Sequence, residues 1–397
     1  MGVCYTEKKS KPAEQSSASK VLNPNANFNK TYNPNSIIEN KSNSTIVKKI
    51  SEINGDAIRL QNNKSCVIMI MDFSSSVSIQ ECNDCSIFIA PCSGSIIIRK
   101  CQNVNLISAS SQLRITDVVN SSFFSFSSTP PAVESSKGIN IGMFFVQYME
   151  LPEMFRKAKL NIWTNEWSQF EKFGNEVDVK YCSDHLKQDI ITKFSAGFND
   201  SYVSCDQYQF IPFEYGKSID VHNESNLVLV FKEEDCVESE VLKFLSPDEL
   251  TEKHCKLVKT IVLNESSPSF TELKQKISTS SNIYLVEYMN KTRLVRQKTN
   301  NSNIGESQLK NNKLNALDVT GNADNTCNNI TTMKYLSKGQ VLLLWVVNDS
   351  GSFEDLRESA EATFDWNNIG WITKEDTNDN EELSFQNYIR KLFLVTE

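Results

Sequence analysis

The strongest constraint on the fold is a repeat. Three segments, IRLQNNKSCVIMI (58–70), VSIQECNDCSIFI (77–89) and IIIRKCQNVNLIS (96–108), begin 19 residues apart, and a fourth, LRITDVVNSSFFSF, begins at Leu113, 17 further on. Cys66, Cys85 and Val104 share one column of this alignment, and Leu60, Ile79, Ile98 and Ile115 share another. Within a segment the apolar period is two, and Ser, Val, Ile and Asn dominate, which favours strands over helices. Short strands at a fixed step, with like residues in columns, predict a β-solenoid whose coils bury their inward residues against their neighbours.

The same registration places Arg114 of SSQLRITD (110–117). Leu113 and Ile115 fall in inward columns, so Arg114 points outward. Its own column reads Arg59, Ser78, Ile97, Arg114, a mostly polar exterior ladder. On pattern alone, solvation accounts for an arginine in such a place.

Bulk properties exclude several classes. A net charge of -8 gives no support to nucleic-acid binding. The longest apolar run, VLLLWVV (341–347), is far short of the roughly 20 residues a spanning helix needs. Eleven cysteines are scattered, mostly in strand-like runs, and no secretory leader is recognised, so the thiols are read as reduced and intracellular. CNDC (82–85) has the spacing of half a zinc site, but the next coil carries Cys101 and Val104, and no second C-x₂-C or H-x₃₋₅-H follows. These cysteines are therefore read as small apolar column residues, with no metal site.

The chain starts MGVCYTEKKSK. Met, Gly and then Thr6 fit the acceptor pattern for N-myristoylation on Gly2, and Cys4 is placed for a palmitoyl chain. One myristoyl chain binds a bilayer only weakly, of order 10⁴ M⁻¹, so a second chain on Cys4, with Lys8, Lys9 and Lys11 facing anionic lipid, completes a stable anchor. Residues 1–54 are expected to form a lipidated, flexible tether, rich in Ser, Asn and Lys.

Residues 55–173 resemble the tubulin-binding cofactor C domain family. The resemblance rests on CSIFIAPCSGSIIIRKC, SQLRITD, TPPAVESSKGINIGMF and AKLNIWTNEWSQFEKF, and on the signature Gln112, Leu113, Arg114, Pro131, Glu134. Relatives that also begin Met-Gly with a nearby cysteine carry a C-terminal domain resembling nucleoside diphosphate kinase. They look like GTPase-activating proteins for Arf-like small GTPases. The resemblance implies Arg114 as an arginine finger supplied in trans, with Gln112 and Glu134 contacting the GTPase. It implies no cofactor of the chain's own, the GTP and magnesium being carried by the partner. It also implies a place on the cytoplasmic face of the plasma membrane or at the ciliary base, in the trafficking of lipidated or ciliary membrane proteins. Two departures from the family pattern, Thr116 where a basic residue is common and Val118 where a cysteine is common, leave the identity of the GTPase open. The alternative is a non-catalytic membrane scaffold, or a tubulin-folding-related adaptor that binds GTPases or tubulin.

The fold class expected is thus a mainly β N-terminal domain (55–180), a right-handed β-helix or solenoid, and after a linker (181–222) an α/β domain (223–397). In the latter, NLVLVF, CKLVKTIVL, NIYLVEYM and QVLLLWVV read as strands, and CVESEVLKFL, SFTELKQKI and SFEDLRESAEATF as helices, the last with Ser352 as N-cap. That order suits a ferredoxin-like sandwich of the nucleoside diphosphate kinase kind. The polar stretch 297–329 is expected to be a disordered insertion. Kinase activity is not expected, because that chemistry needs a histidine in a set pocket, and the surroundings of His254, EKHCKL, do not match that motif.

Overall fold

The computed structural model describes residues 33–174, 176–182 and, with short gaps, 189–194, 210–289 and 335–394. Gly2, Cys4 and the stretch 297–329 lie outside the described residues.

Short parallel strands follow one another in the first half: β1 (Ile37–Glu39), β2 (Thr45–Lys48), β3 (Ala57–Gln61), β4 (Val67–Ile70), β5 (Ser76–Gln80), β6 (Ser86–Arg99), β7 (Asn105–Thr116), β8 (Val119–Ser127), β9 (Ala132–Glu134), β10 (Lys137–Met143), β11 (Glu171–Phe173) and β12 (Val179–Tyr181). They stack in two ladders. The first runs β1-β3-β5, then the ends of β6 and β7, then β9-β11. The second runs β2-β4, then the starts of β6 and β7, then β8-β10-β12. This is the expected β-solenoid. The predicted column is observed rung by rung, Leu60, Ile79, Ile98 and Ile115 in register, Val133 extends it by one rung, and each of these side chains is fully buried. Each such side chain contributes about 1.5–3 kcal/mol of hydrophobic burial.

What sets the register is the corner between the ladders. Six successive coils turn through two residues of positive φ spaced three apart: Asn40 and Asn43, Asn62 and Ser65, Glu81 and Asp84, Lys100 and Asn103, Asp117 and Asn120, Ser135 and Gly138. Asn and Asp are the non-glycine residues that tolerate this left-handed conformation best. Backbone amides at the corners donate to the next corner, as Asn62 does to Gln80 and Asp84 to Gln102, both at 3.0 Å. Between the two left-handed residues one side chain points inward, giving the column Asn63, Cys82, Cys101, Val118, Ser136.

The first coil corrects one expectation. Residues 37–48, assigned to the tether on composition, form β1 and β2 and pair with β3 and β4. The step there is longer, Ile37 to Arg59, and only Ile38 and Ile46 mark the apolar side, so polar composition hid a coil.

The two ladders differ in what covers them. On the second, Met69, Phe88 and Phe124 alternate with the core residues yet are buried too, because helix α1 (Leu151–Ala158) and the segment before it pack over that side. Phe88 meets Tyr148 and Phe124 meets Phe145 edge to face. The first ladder keeps an open outer face.

The second half is a four-stranded sheet of β13 (Ser225–Lys232), β14 (Cys255–Asn264), β15 (Gln340–Asn348) and β16 (Gly370–Ile372), ordered β14-β15-β13-β16 with every neighbour antiparallel. That order and those directions are the split βαβ pattern of a ferredoxin-like sandwich. Helices α2 (Glu238–Phe244) and α3 (Pro247–Glu252) connect β13 to β14, α4 (Pro268–Ile277) follows β14, α5 (Glu354–Thr363) connects β15 to β16, and α6 (Glu382–Phe393) comes last. Phe353, not the expected Ser352, is the N-cap of α5; Ser352 stands one residue earlier, its hydroxyl accepting the Glu354 amide (3.3 Å). The strand expected over 282–289 is not borne out: Leu285 and Met289, the residues described in that stretch, are helical and buried. Their spacing of four places both on one helical face, a signal that the neighbouring Ile283 and Tyr284 obscured.

The halves share a buried junction. A row of rings runs from Phe126 to Phe155, Phe210 and Tyr335, with centroids 5.1, 5.4 and 6.0 Å apart. Trp163 Nε1 donates to Glu238 Oε2 (3.1 Å), whose other oxygen accepts the amides of Tyr335 and Leu336. Lys259 pairs with Glu166. Fully buried Glu214 accepts the Thr260 amide (2.9 Å). The Thr260 hydroxyl lies between Glu214 Oε1 and the Trp163 carbonyl oxygen (3.1 Å). One hydroxyl proton cannot serve both, and a protonated Glu214 resolves the conflict by donating to the hydroxyl, which then donates to Trp163. Burial pushes the Glu214 carboxyl up to about 8, against the opposing influence of the Thr260 hydrogen bonds and Lys259.

Two outcomes follow. A Cβ on Gly94, where β6 slips register, would sit 2.4 Å from the Ser75 carbonyl oxygen, so Gly94→Ala is expected to cost about 1–3 kcal/mol, read as a lowered denaturant midpoint at unchanged slope. Glu214 binds its proton more tightly folded than unfolded. Its contribution is therefore complete below the unfolded value near 4.5 and is lost as pH rises through about 8. Tm should fall across that window, and Glu214→Gln should flatten the fall.

Candidate functional site

On the open face of the first ladder, Leu113 and Ile115 anchor their strand with no exposure, and Arg114 between them projects into solvent. Ile97 lies on the rung above Arg114 and Ala132 on the rung below. Among the described residues Arg114 has no ion-pair or hydrogen-bond partner. The guanidinium is thus free while its backbone is fixed on both sides by the core and by two neighbouring strands. The exterior column predicted from the repeat, Arg59, Ser78, Ile97, Arg114, is the one observed.

Gln112 stands two residues before Arg114 on the same outward side, where its Oε1 accepts the Ser95 hydroxyl (3.1 Å). Glu134 is exposed on β9, in register with Thr116. It is therefore one rung below Arg114 and two residues along, a Cα separation of about 8 Å by strand geometry. Arg114, Gln112 and Glu134 occupy one surface. Of the two departures from the family pattern, Val118 is buried in the inward column with Cys101 and Ser136, so it bears on packing. Thr116 faces outward, with exposed Arg99 opposite it on the rung above.

Some members of this surface escaped the sequence reading. Phe173, 49% exposed, is in register with Glu134, and Glu171 is in register with Ala132. A long excursion (144–170) separates the last two rungs, so no fixed step could align β11 with β9. The alternation of QFEKF was the one available signal.

Cys82 and Cys85 stand in different inward columns. The Cys82 amide donates to Cys101 Sγ (3.3 Å), whereas the Cys85 thiol reaches the Asn83 carbonyl (3.2 Å) and is pushed up to about 11, chiefly by burial. His254, the histidine among the described residues, sits at the left-handed turn into β14.

Residues 55–173 match the family Tubulin binding cofactor C. The chain is 41% identical to Protein XRP2 of Danio rerio over 131 residues, 33% of this chain and 35% of that protein. It is 37% identical to Protein XRP2 of Xenopus laevis over 193 residues, 47% of this chain and 55% of that protein. These two alignments thus span about a third and about half of their relatives' lengths. Against Protein XRP2 of Mus musculus the alignment is longer, 32% identity over 267 residues, 66% of this chain and 76% of that protein. Among solved structures, Tubulin Binding Cofactor C from Leishmania major covers 45% of this chain and 98% of its own, at 12% identity and a TM-score of 0.29, too low to bear on the fold. Signature residues on one face of a cofactor C-type solenoid, a ferredoxin-like second half and the long alignment to the mouse protein agree: the chain belongs to the XRP2 family of tubulin-binding cofactor C-domain proteins.

Proposed function

We propose that this chain is a membrane-anchored GTPase-activating protein for an Arf-like small GTPase, with Arg114 as the finger. The observation that carries the reading is an exposed, unpartnered arginine whose strand is locked by Leu113 and Ile115. Hydrolysis adds water to the γ-phosphorus and breaks its bond to the β–γ bridging oxygen. Negative charge builds on the bridging and terminal oxygens as that bond opens. A guanidinium inserted in trans stabilises this charge and displaces water, and its planar fork bridges two oxygens as an ammonium cannot. A finger on a stiff rung loses little orientational entropy on docking. Gln112 and Glu134 contact the GTPase beside the finger. The GTP and its magnesium belong to the partner, and this chain acts without a cofactor or kinase chemistry of its own.

Anchoring is part of the same reading. Acyl chains on Gly2 and Cys4, with the following lysines, hold the protein at the cytoplasmic face of the plasma membrane or the ciliary base. Activation there serves the trafficking of lipidated or ciliary membrane proteins.

Arg114→Ala should slow single-turnover GTP hydrolysis by a GTP-loaded Arf-like GTPase about 10³–10⁵-fold, while binding of that GTPase is largely kept. Equal rates for the two proteins would leave the scaffold or tubulin-adaptor reading in its place. Gly2→Ala should move the protein from membrane to soluble fractions, and retention on membranes would refute acylation at that site.

A further inference from the structure

The outer face around Arg114 carries more charge than the finger needs. Arg99 and Arg114 lie on adjacent rungs, β6 and β7, and Glu134 and Glu171 on the next two, β9 and β11. All four side chains are exposed, and among the described residues none has an ion-pair or hydrogen-bond partner. Higher on the same face the ladder neutralises its charge internally, with Arg59 paired to Glu39 across one rung at 3.0 Å. Rungs about 4.8 Å apart allow such pairing anywhere on the ladder. Among these four outward residues the signs are instead segregated, the two arginines on the upper rungs and the two carboxylates on the lower, over three rung spacings or about 14 Å, with Lys172 and Asp117 exposed beside them.

We propose, resting on the docking just described, that this face is a bipolar recognition surface in which Arg99 and Glu171 orient the incoming GTPase. Arg99 stands opposite Thr116 and diagonally beside Arg114, so it reaches the region next to the bound nucleotide and meets a carboxylate of the GTPase. Glu171, two rungs below Arg114 in the same column, meets a cation of the GTPase on the far side of the finger. A partner rotated by half a turn brings like charges together at both ends, which costs affinity and suppresses wrong registers. Arg99 also supplies, from the neighbouring rung, a cation at the outward position that Thr116 leaves neutral. Neither residue touches the transferred phosphoryl group, so both act on encounter and orientation, and Arg114 alone acts on the chemical step.

The test measures two quantities in the full chain with an Arf-like GTPase. The first is its affinity when loaded with a non-hydrolysable GTP analogue, the second the hydrolysis rate at saturating activator. Arg99→Glu and Glu171→Lys should each weaken binding about tenfold or more, and the loss should shrink at high salt. The saturating rate should stay within about twofold, and Arg99→Lys should recover most of the affinity. Unchanged affinity in both reversals, with an unchanged thermal midpoint as proof of folding, overturns the inference. Arg114→Ala in the same assay separates the two claims. If it abolishes the rate while Arg99→Glu and Glu171→Lys leave affinity intact, the finger stands and the bipolar surface falls. If it leaves the rate intact while both reversals weaken binding, the surface stands and the finger falls.

Discussion

The left-handed corner is the constraint on which the solenoid depends. The six corners from β1–β2 to β9–β10 each use two residues of positive φ, three apart, to turn from one ladder to the other. Because the corners stack and bond to one another, they hold each strand in register whatever the length of chain between them. The step varies, from Ile37–Arg59 at the start to Ile97–Arg114 at the site, yet the Leu60–Val133 column stays in register from rung to rung. A slip of one residue would turn the whole Leu60–Val133 column to solvent and bury Arg114 with it.

Covering decides which face is available for function. The second ladder is covered over Met69, Phe88 and Phe124 by α1 and the aromatic residues around it. The first ladder has an apolar inner side only, and its outer side collects Gln112, Arg114 and Glu134. The sandwich in the second half docks through Trp163, Glu238, Lys259 and Glu214 without occupying the Arg114 rungs.

Much of this was legible in the sequence, and the reason is physical. A solenoid converts a sequence step into a spatial neighbour, so columns such as Cys66–Cys85–Val104 and Arg59–Arg114 could be read before any coordinates. The ferredoxin-like class was also legible, because β13, β14 and β15 are long apolar runs between helical patterns, but the short fourth strand β16 escapes the sequence reading, which puts a strand at 282–289 in its place. What stayed hidden lacked a periodic signal. The first coil is too polar. Phe173 and Glu171 return to the ladder only after α1. Glu214 is a lone acid in an extended stretch, FIPFEYGK, and nothing local announces that Thr260 and Trp163 enclose it.

The delivery of β11 has a consequence for how the surface can be divided. The rungs bearing Arg99, Arg114 and Glu134 are contiguous in the chain, but the rung bearing Glu171 and Phe173 arrives after a helix and a junction shared with the other half. A piece of the protein ending at Met143 would keep the cationic half of the face and lose its floor. The full four-rung face is therefore a property of the assembled chain, since β11 joins it only after α1 and the Trp163 segment.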